Sequence, residues 1–501
     1  RLVLFGMAVR PLLPAPAEPP WSTSAAARPL QGPWLWRLAG GGAPVHRRAG
    51  SVELHFLAAD MALVEGELQL DLLWTATSDD DCVMVGANFH NVGDPYYSFA
   101  HNLPASTVVH WNCAVRRPGA QAGTASGAAT VSFSGFVSIT TCRLPPGEAA
   151  LLQANASQEA PELEVSLQPS SAGSWRPEPL RLRALPRPGR RRLLSACTTT
   201  LHSAGYIDKV APFAVEDWLN YHLLIGIEHF TVFDTDGSYE PYVRSFVERG
   251  VVTYHARFPA QVSPKLGLLA DGLANGEQQR PMLMEPHALD VCVWENRQVS
   301  DWVVVVHSFE EYLHSPTIAS SLGSFPLGRA LRHWALEVPQ TTIFEIFQEP
   351  MGGPRQSGAE SVLSTWTHKR GLDIENMAFK ESLEAQHAHF QPFAWIIDPL
   401  NVLQTAVHFA QARAEGQTIV AMPRETLRVN HYVDLGSNTS RCLRELGGCE
   451  ALDDSLLWAE PALLRLRRSR EESGGGRGGR GRRRSGAGAP REETARRSAQ
   501  S

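Results

Sequence analysis

Apolar positions along the chain repeat with two different periods. Between residues 50 and 182 they alternate: Val52-Leu54-Phe56, Leu68-Leu70-Leu72, Val83-Val85, Val108-His110, Val131-Phe133 and Val137-Ile139 each line one face of a short strand. Gly, Pro, Asp and Ser clusters separate these runs, and the pattern predicts an antiparallel β-sandwich. Further on, Val215, Trp218, Leu219, His222 and Leu223 recur at three- and four-residue steps, which predicts an amphipathic helix ending at Gly226. His229-Phe230-Thr231-Val232-Phe233 then reads as a buried strand. Trp302-Val303-Val304-Val305-Val306 is apolar without interruption and largely β-branched, as expected of a strand covered on both faces. Helical stretches between such strands predict an α/β architecture.

Composition sharpens the division. Residues 1–49 are rich in Pro, Ala and Gly without a period and read as a disordered arm. Leu185-Pro186-Arg187-Pro188-Gly189-Arg190-Arg191-Arg192 is stiff and charged and fits a linker over 183–195. The α/β domain then spans 196–466, and the Arg/Gly-rich stretch 467–501 reads as a disordered tail. With 501 residues, 43% hydrophobic and 20% charged, the chain is long enough for several domains, and neither a coiled coil nor collagen fits. No run of 18 apolar residues is present, which excludes a multispan membrane protein. The net charge of −6 includes a tail from Arg465 to Ser501 with 12 Arg and 4 Glu, so the remainder is distinctly acidic. That balance argues against nucleic acid as the main partner of the folded part.

Seven Cys without any CxxC spacing argue against a zinc ribbon. Cys442 and Cys449 either close a small loop in an oxidising compartment or remain free thiols. Asn155-Ala156-Ser157 and Asn438-Thr439-Ser440 are N-glycosylation acceptors if the chain is lumenal. The apolar run from Leu2 to Val9 reads either as the end of a signal anchor or as an apolar patch in the arm.

Ligands of open α/β sheets bind beyond the carboxyl ends of the strands, which draws attention to two acidic segments. These are Phe233-Asp234-Thr235-Asp236-Gly237-Ser238 and Val306-His307-Ser308-Phe309-Glu310-Glu311-Tyr312-Leu313. Carboxylates there hold a divalent cation that neutralises a diphosphate, or else they cap the next turn. In the first half, Trp74, Trp111, Tyr96 and Tyr97 form either a sugar-stacking platform or part of the core.

The run from Glu216-Asp217-Trp218-Leu219-Asn220-Tyr221-His222 through Gly226-Ile227-Glu228-His229-Phe230 to Asp234, preceded by Cys197 and Tyr206, resembles the opening signature of glycosyltransferase family 92. The galactan synthases belong to that family, once catalogued as a domain of unknown function. The likeness continues through Tyr242-Val243, Gly250-Val251-Val252, Cys292, the Trp302 strand, Ile396-Ile397-Asp398-Pro399, Val407-His408 and His431-Tyr432, covering about residues 197–435. It implies a GT-A fold, a nucleotide-sugar donor and an inverting transfer of a hexose to a glycan or polysaccharide, with galactose from UDP-galactose and Mn2+ as the first expectation. It also implies a Golgi-lumenal, single-pass type II membrane protein, and a carbohydrate-binding module over residues 50–182.

One departure stands out. The family carries D-x-D-E-F where this chain has Ser308-Phe309-Glu310-Glu311-Tyr312, so Ser308 replaces the first Asp and Glu310 the second. The basic residues expected near the later Pro are replaced by Trp395 and Asp398. Either the enzyme depends less on metal or it is an inactive glycan-binding relative. The resemblance assigns Asp234, Asp236, Ser308 and His408 to the nucleotide sugar, Glu310 and His408 to the cation, and Glu311 to orienting groups near Glu310. Glu216 and His222 serve as scaffold or ligand. Glu345, Glu349 and Asp373 are the candidates for the catalytic base. A further alternative is RNA binding through the Arg/Gly tail.

Overall fold

The computed structural model describes chiefly residues 188–262, 284–352, 358–369, 393–406, 409–413, 417–432 and 451–474, together with the strands that precede them. In the first half, Val52–Val64, Glu67–Ser78, Val137–Leu144, Ala125–Ser134, His110–Arg116, Glu162–Pro169, Leu180–Pro186 and Trp34–Leu38 hydrogen-bond in that order, antiparallel throughout. This is one continuous sheet where the alternation predicts two. It curls, as large twisted sheets do, until Trp34–Leu38 lies against Val52–Val64. Leu54, Leu70, Leu72, Val165 and Leu182 fill its interior. Trp74 is fully buried among them, with its Nε1 donating to Thr140 Oγ1 at 2.9 Å, so it belongs to the core and not to a sugar platform. Tyr96, Tyr97 and the Trp111 side chain lie outside the described residues.

The stretch 1–49 also differs from expectation. Trp34–Leu38 and Val45–Ala49 are strands of this sheet, because Leu180–Pro186 and Val52–Val64 supply backbone partners from elsewhere in the chain. Composition carries no record of such partners.

In the second half, β1 (Arg192–Leu201), α1 (Ala204–Val210), α2 (Ala214–Ile225), β2 (His229–Asp234), α3 (Glu240–Glu248), β3 (Val252–Ala256), α4 (Glu285–Asn296) and β4 (Ser300–Val305) alternate. They are followed by β5 (Glu311–His314), α5 (Pro316–Leu322), α6 (Leu327–Glu337), β6 (Thr341–Gly352), β7 (Phe393–Ile397), β8 (Val402–Ala406), β9 (Phe409–Ala412), β10 (Thr418–Ala421), β11 (Arg428–Tyr432) and α7 (Glu460–Gly474). The main sheet runs β3-β2-β1-β4-β7-β6-β10. Its first four strands are parallel, and β7 is antiparallel to both neighbours. Beyond it, β11 extends the far end of β6 in parallel and pairs antiparallel with β5. α2 ends where Gly226 takes φ +110, a left-handed cap that a side chain would disfavour.

Both faces of the main sheet are covered, as the apolar run of β4 predicts. Val304 packs with Trp218, Leu219, Val243, Phe246, Leu331 and Trp334 from the helices on one side. On the other side Val303 and Val305 meet Ala288, Leu289 and Val293 of α4, together with Leu57, Leu73, Val137 and Ile139 of the antiparallel sheet. The two halves therefore share a core.

Polar contacts reinforce that junction. Arg413 donates to Asp71 at 2.9 Å, Arg297 lies 3.7 Å from the same carboxylate, and Gln298 donates to Met61 O at 2.9 Å. Arg37 donates to Glu295 O at 2.8 Å. The linker expected over 183–195 is shorter in the structure, since Leu180–Pro186 and β1 leave only residues 187–191 between strands. At the other end, α7 continues through residue 467, where a disordered tail is expected. Arg467 bonds both Asp217 oxygens, at 2.7 and 2.9 Å, and Arg470 bonds Glu216 at 2.8 Å. Among the described residues no helix is long and apolar enough to cross a membrane.

Candidate active site

The strand order 3-2-1-4 places a topological switch point between β1 and β4, where crossovers leave in opposite directions. The two strands keep pairing past their regular ends: Val306 N donates to Cys197 O at 3.1 Å, and Thr199 N and Oγ1 donate to His307 O at 3.0 and 2.7 Å. The chain then turns through Ser308, Phe309 and Glu310 into β5, with Glu311 N donating to Ser308 O at 3.3 Å. Because β5 pairs with β11, residue 311 lies opposite His431. Four ionisable side chains converge as a result.

Glu311 is the centre of this cluster. Its side chain has no exposed surface, and it accepts hydrogen bonds from His307 Nδ1 at 2.6 Å, from His307 N at 2.8 Å and from Gln348 Nε2. His431 Nδ1 stands 4.0 Å away, and His431 Nε2 donates to Glu310 Oε1 at 2.9 Å. The two imidazole planes are nearly parallel, with centroids 6.3 Å apart. Burial raises the Glu311 pKa, but the adjacent His307 outweighs it and brings the carboxyl down to about 2. Burial lowers the His307 pKa, and Glu311 more than reverses this, carrying it up to about 9. His431 is likewise raised, since its bond to Glu310 overcomes desolvation.

A fifth group joins from α4. Glu285, half-buried in the first turn of that helix, is within electrostatic range of His307 and Glu311; burial, only partly offset by His307, pushes its pKa up to about 7. The helix is fastened to β1 by the Cys197–Cys292 disulfide.

Of the residues expected from sequence, the structure brings Ser308, Glu310 and Glu311 to this rim. Ser308 Oγ is 3.4 Å from Glu310 N. Asp234 stands at the end of β2 with no exposed surface, and its two oxygens accept from the backbone of Asp236, Gly237 and Tyr239 and from Tyr254 Oη at 2.5 Å. Its carboxylate anchors the turn. Asp236 is exposed and accepts from Ser203 N and Ser238 N, both at 2.9 Å. Burial raises its pKa, and the Ser238 and Ser203 bonds outweigh that and draw it down to about 2.

Glu345 and Glu349 sit on β6, each two residues from Phe347, so they alternate to the face opposite Gln348, which meets Glu311. They share the α4 side of the sheet with Ile343 and Phe347. His222 is buried between Trp218 O and Leu313 N, its pKa lowered by burial to about 3, and Glu216 pairs with Arg470; both are scaffold. His408, Asp373, Cys442, Cys449, Asn155 and Asn438 lie outside the described residues.

His408 lies outside the described residues, and the other expected donors at this rim are already engaged or neutral. Glu311 is consumed by His307 and Gln348, Glu310 is paired with His431, and Ser308 is neutral. Among the described residues, no group of three or more His, Cys, Asp and Glu is arranged to hold a metal ion.

Sequence reasoning overlooked the roles of Thr199, Glu285, His307, Gln348 and His431. His307 and His431 stand inside motifs already noted, and a strand-end His beside two Glu is a usable signal. Glu285 has none, because only the packing of α4 brings it to the rim. No family model matches the chain, and no curated protein matches it.

Proposed function

We propose that this chain is a glycosyltransferase of GT-A type, transferring a hexose with inversion from a nucleoside-diphosphate sugar to a glycan acceptor, with UDP-galactose as the leading donor. One observation carries this reading: the charged cluster of His307, Glu310, Glu311 and His431 lies at the carboxyl ends of β1 and β4, at the switch point of a 3-2-1-4 sheet. That is where open α/β sheets take nucleotides. His307 and His431 both hold their protons more firmly than an ordinary imidazole, and so supply positive charge in the position where a diphosphate leaves. Fixed charge aimed at a developing anion lowers the barrier to its departure. The loop held by Asp234, with Asp236 exposed on it, borders the same rim and supports a role in shaping the nucleotide pocket.

The Cys197–Cys292 disulfide supports an oxidising compartment, in keeping with a Golgi-lumenal protein. Arg467 and Arg470 are engaged with Asp217 and Glu216, which weighs against RNA binding by this part of the chain.

The test is a panel of UDP-sugars offered to the purified protein, with Mn2+ or with a chelator. Turnover is expected with UDP-galactose and is expected to survive chelation. His307→Ala is expected to lower kcat/KM by about 10- to 100-fold. If no UDP-sugar turns over and UDP does not bind, the reading is wrong and an inactive glycan-binding shell replaces it.

A further inference from the structure

Among the described residues, β5 pairs with one strand alone, β11. Tyr432 N donates to Glu310 O at 2.9 Å, which sets the phase of that ladder. In an antiparallel pair the backbone groups of successive residues point to opposite edges, so Glu311 and Leu313 turn theirs away from β11. Side chains of α2 meet them there. Trp218 Nε1 donates to Glu311 O at 2.7 Å, Tyr221 Oη donates to Leu313 O at 2.6 Å, and Leu313 N donates to His222 Nε2 at 3.4 Å. His222 Nδ1 donates to Trp218 O at 2.8 Å, and this tautomer leaves Nε2 as the acceptor. Burial, which takes the His222 pKa down to about 3, keeps the ring neutral for that purpose. Positions 218, 221 and 222 share one face of the helix, and none of the three side chains has exposed surface.

Resting on the glycosyl-transfer reading, we propose that Trp218, Tyr221 and His222 are positioning residues for the transfer: in place of a neighbouring strand they hold β5, so that Glu311 keeps the His307 imidazole at the rim. Two donors and one acceptor on α2 match two carbonyls and one amide on β5, where a core that needed only to be filled would present apolar groups. The hold passes to the imidazole along bonds already in place. Trp218 fixes the backbone of Glu311, whose carboxylate accepts from His307 Nδ1 at 2.6 Å and from His307 N at 2.8 Å. The Trp218 ring also meets Phe309 edge-on, with centroids 5.1 Å apart, and Phe309 stands in the turn between His307 and Glu311. One side chain thus grips the turn at two points. The helix is a fixed support because α7 holds it from outside, through the two bonds from Arg467 to Asp217.

Trp218→Phe and Tyr221→Phe are compared with the unaltered protein for kcat, donor KM, melting temperature and the NMR resonance of the His307 Nδ1 proton, which the short bond to Glu311 shields from exchange. Trp218→Phe is expected to lower kcat by about 10- to 100-fold with donor KM within about threefold, and to broaden that resonance, since misplacing a group that acts on the transition state costs rate more than binding. Tyr221→Phe removes one hydroxyl and keeps the ring, and is expected to lower kcat by about three- to tenfold in the same manner. A lowered melting temperature with kcat and the resonance unchanged in both variants marks a purely structural role and overturns the proposal. Should Trp218→Phe fail to fold, Tyr221→Phe decides alone. Absence of turnover in the unaltered protein overturns the glycosyl-transfer reading and with it any effect of α2 on the rate, whereas a resonance unmoved in both variants overturns the positioning whether or not a sugar turns over.

Discussion

His307 and Glu311 close a ring at the end of β4 in which both the imidazole Nδ1 and the backbone N of one residue donate to the carboxylate of the other, at 2.6 and 2.8 Å. Four residues apart in a loop, they form an ion pair that ties the β4–β5 turn to itself. The same carboxylate accepts from Gln348 on β6. The turn is thereby joined to a strand two places away in the sheet.

The pair makes stability depend on pH in a definite sense. His307, raised from 6.5 to about 9, contributes stability fully below 6.5 and loses it as pH climbs through 9. Glu311, lowered from 4.5 to about 2, contributes fully above 4.5 and loses it as pH falls through 2. The joint contribution is therefore complete between 4.5 and 6.5. Urea midpoints are expected to fall between pH 6.5 and 9, with a shallower fall in Glu311→Gln. An NMR titration placing His307 at 6.5 in the unaltered protein would refute the pairing.

Asp71 holds two buried guanidiniums, Arg413 and Arg297, at the junction of the two halves. Asp71→Ala removes the carboxylate that the two share, and removing one partner of a buried pair typically costs about 3–5 kcal/mol. The antiparallel sheet and the α/β half are expected to unfold in one transition that Asp71→Ala shifts as a whole. Two separated transitions in the unaltered protein, seen by denaturant titration with probes in each half, would contradict the shared core.

Cys197 and Cys292 close a loop of 95 residues. Chain-entropy reasoning gives the crosslink a stabilisation of about 2–5 kcal/mol, so the Cys197→Ala, Cys292→Ala double variant is expected to lose about that much. Peptide mapping without reduction should recover the two cysteines linked. Their recovery as free thiols from protein purified under non-reducing conditions would remove both the crosslink and its support for an oxidising compartment.

Arg467 makes a two-pronged bond to Asp217, whose burial lifts its pKa to about 6 even with Arg467 drawing it down. Arg467→Met is expected to cost about 3 kcal/mol and to release α7, while adding Asp217→Asn should restore part of the loss. Hydrogen exchange over residues 460–474 reads this directly. Unchanged protection in Arg467→Met would show that the helix is held by its apolar contacts alone.

Local periodicity was enough to locate many of the elements. The alternation from Val52 to Phe56 and from Leu68 to Leu72 marks real strands, and the three- and four-residue spacing from Val215 to Leu223 marks α2 up to its Gly226 cap. The unbroken run from Trp302 to Val306 correctly foretells a strand covered on both sides, since a residue's neighbours within one turn or pleat are fixed by the chain itself. Ser308, Glu310 and Glu311 could be placed at a strand end for the same reason. What lies across space had no such trace. Trp34–Leu38 becomes a strand because Leu180–Pro186 lies alongside it. Arg467 stays helical against an acid 250 residues away, and His431 and Glu285 reach the rim only when β11 pairs with β5 and α4 is fastened to β1. Hydrogen-bond partners and counter-charges brought together by folding depend on the joint packing of many segments, so no single stretch of sequence encodes them.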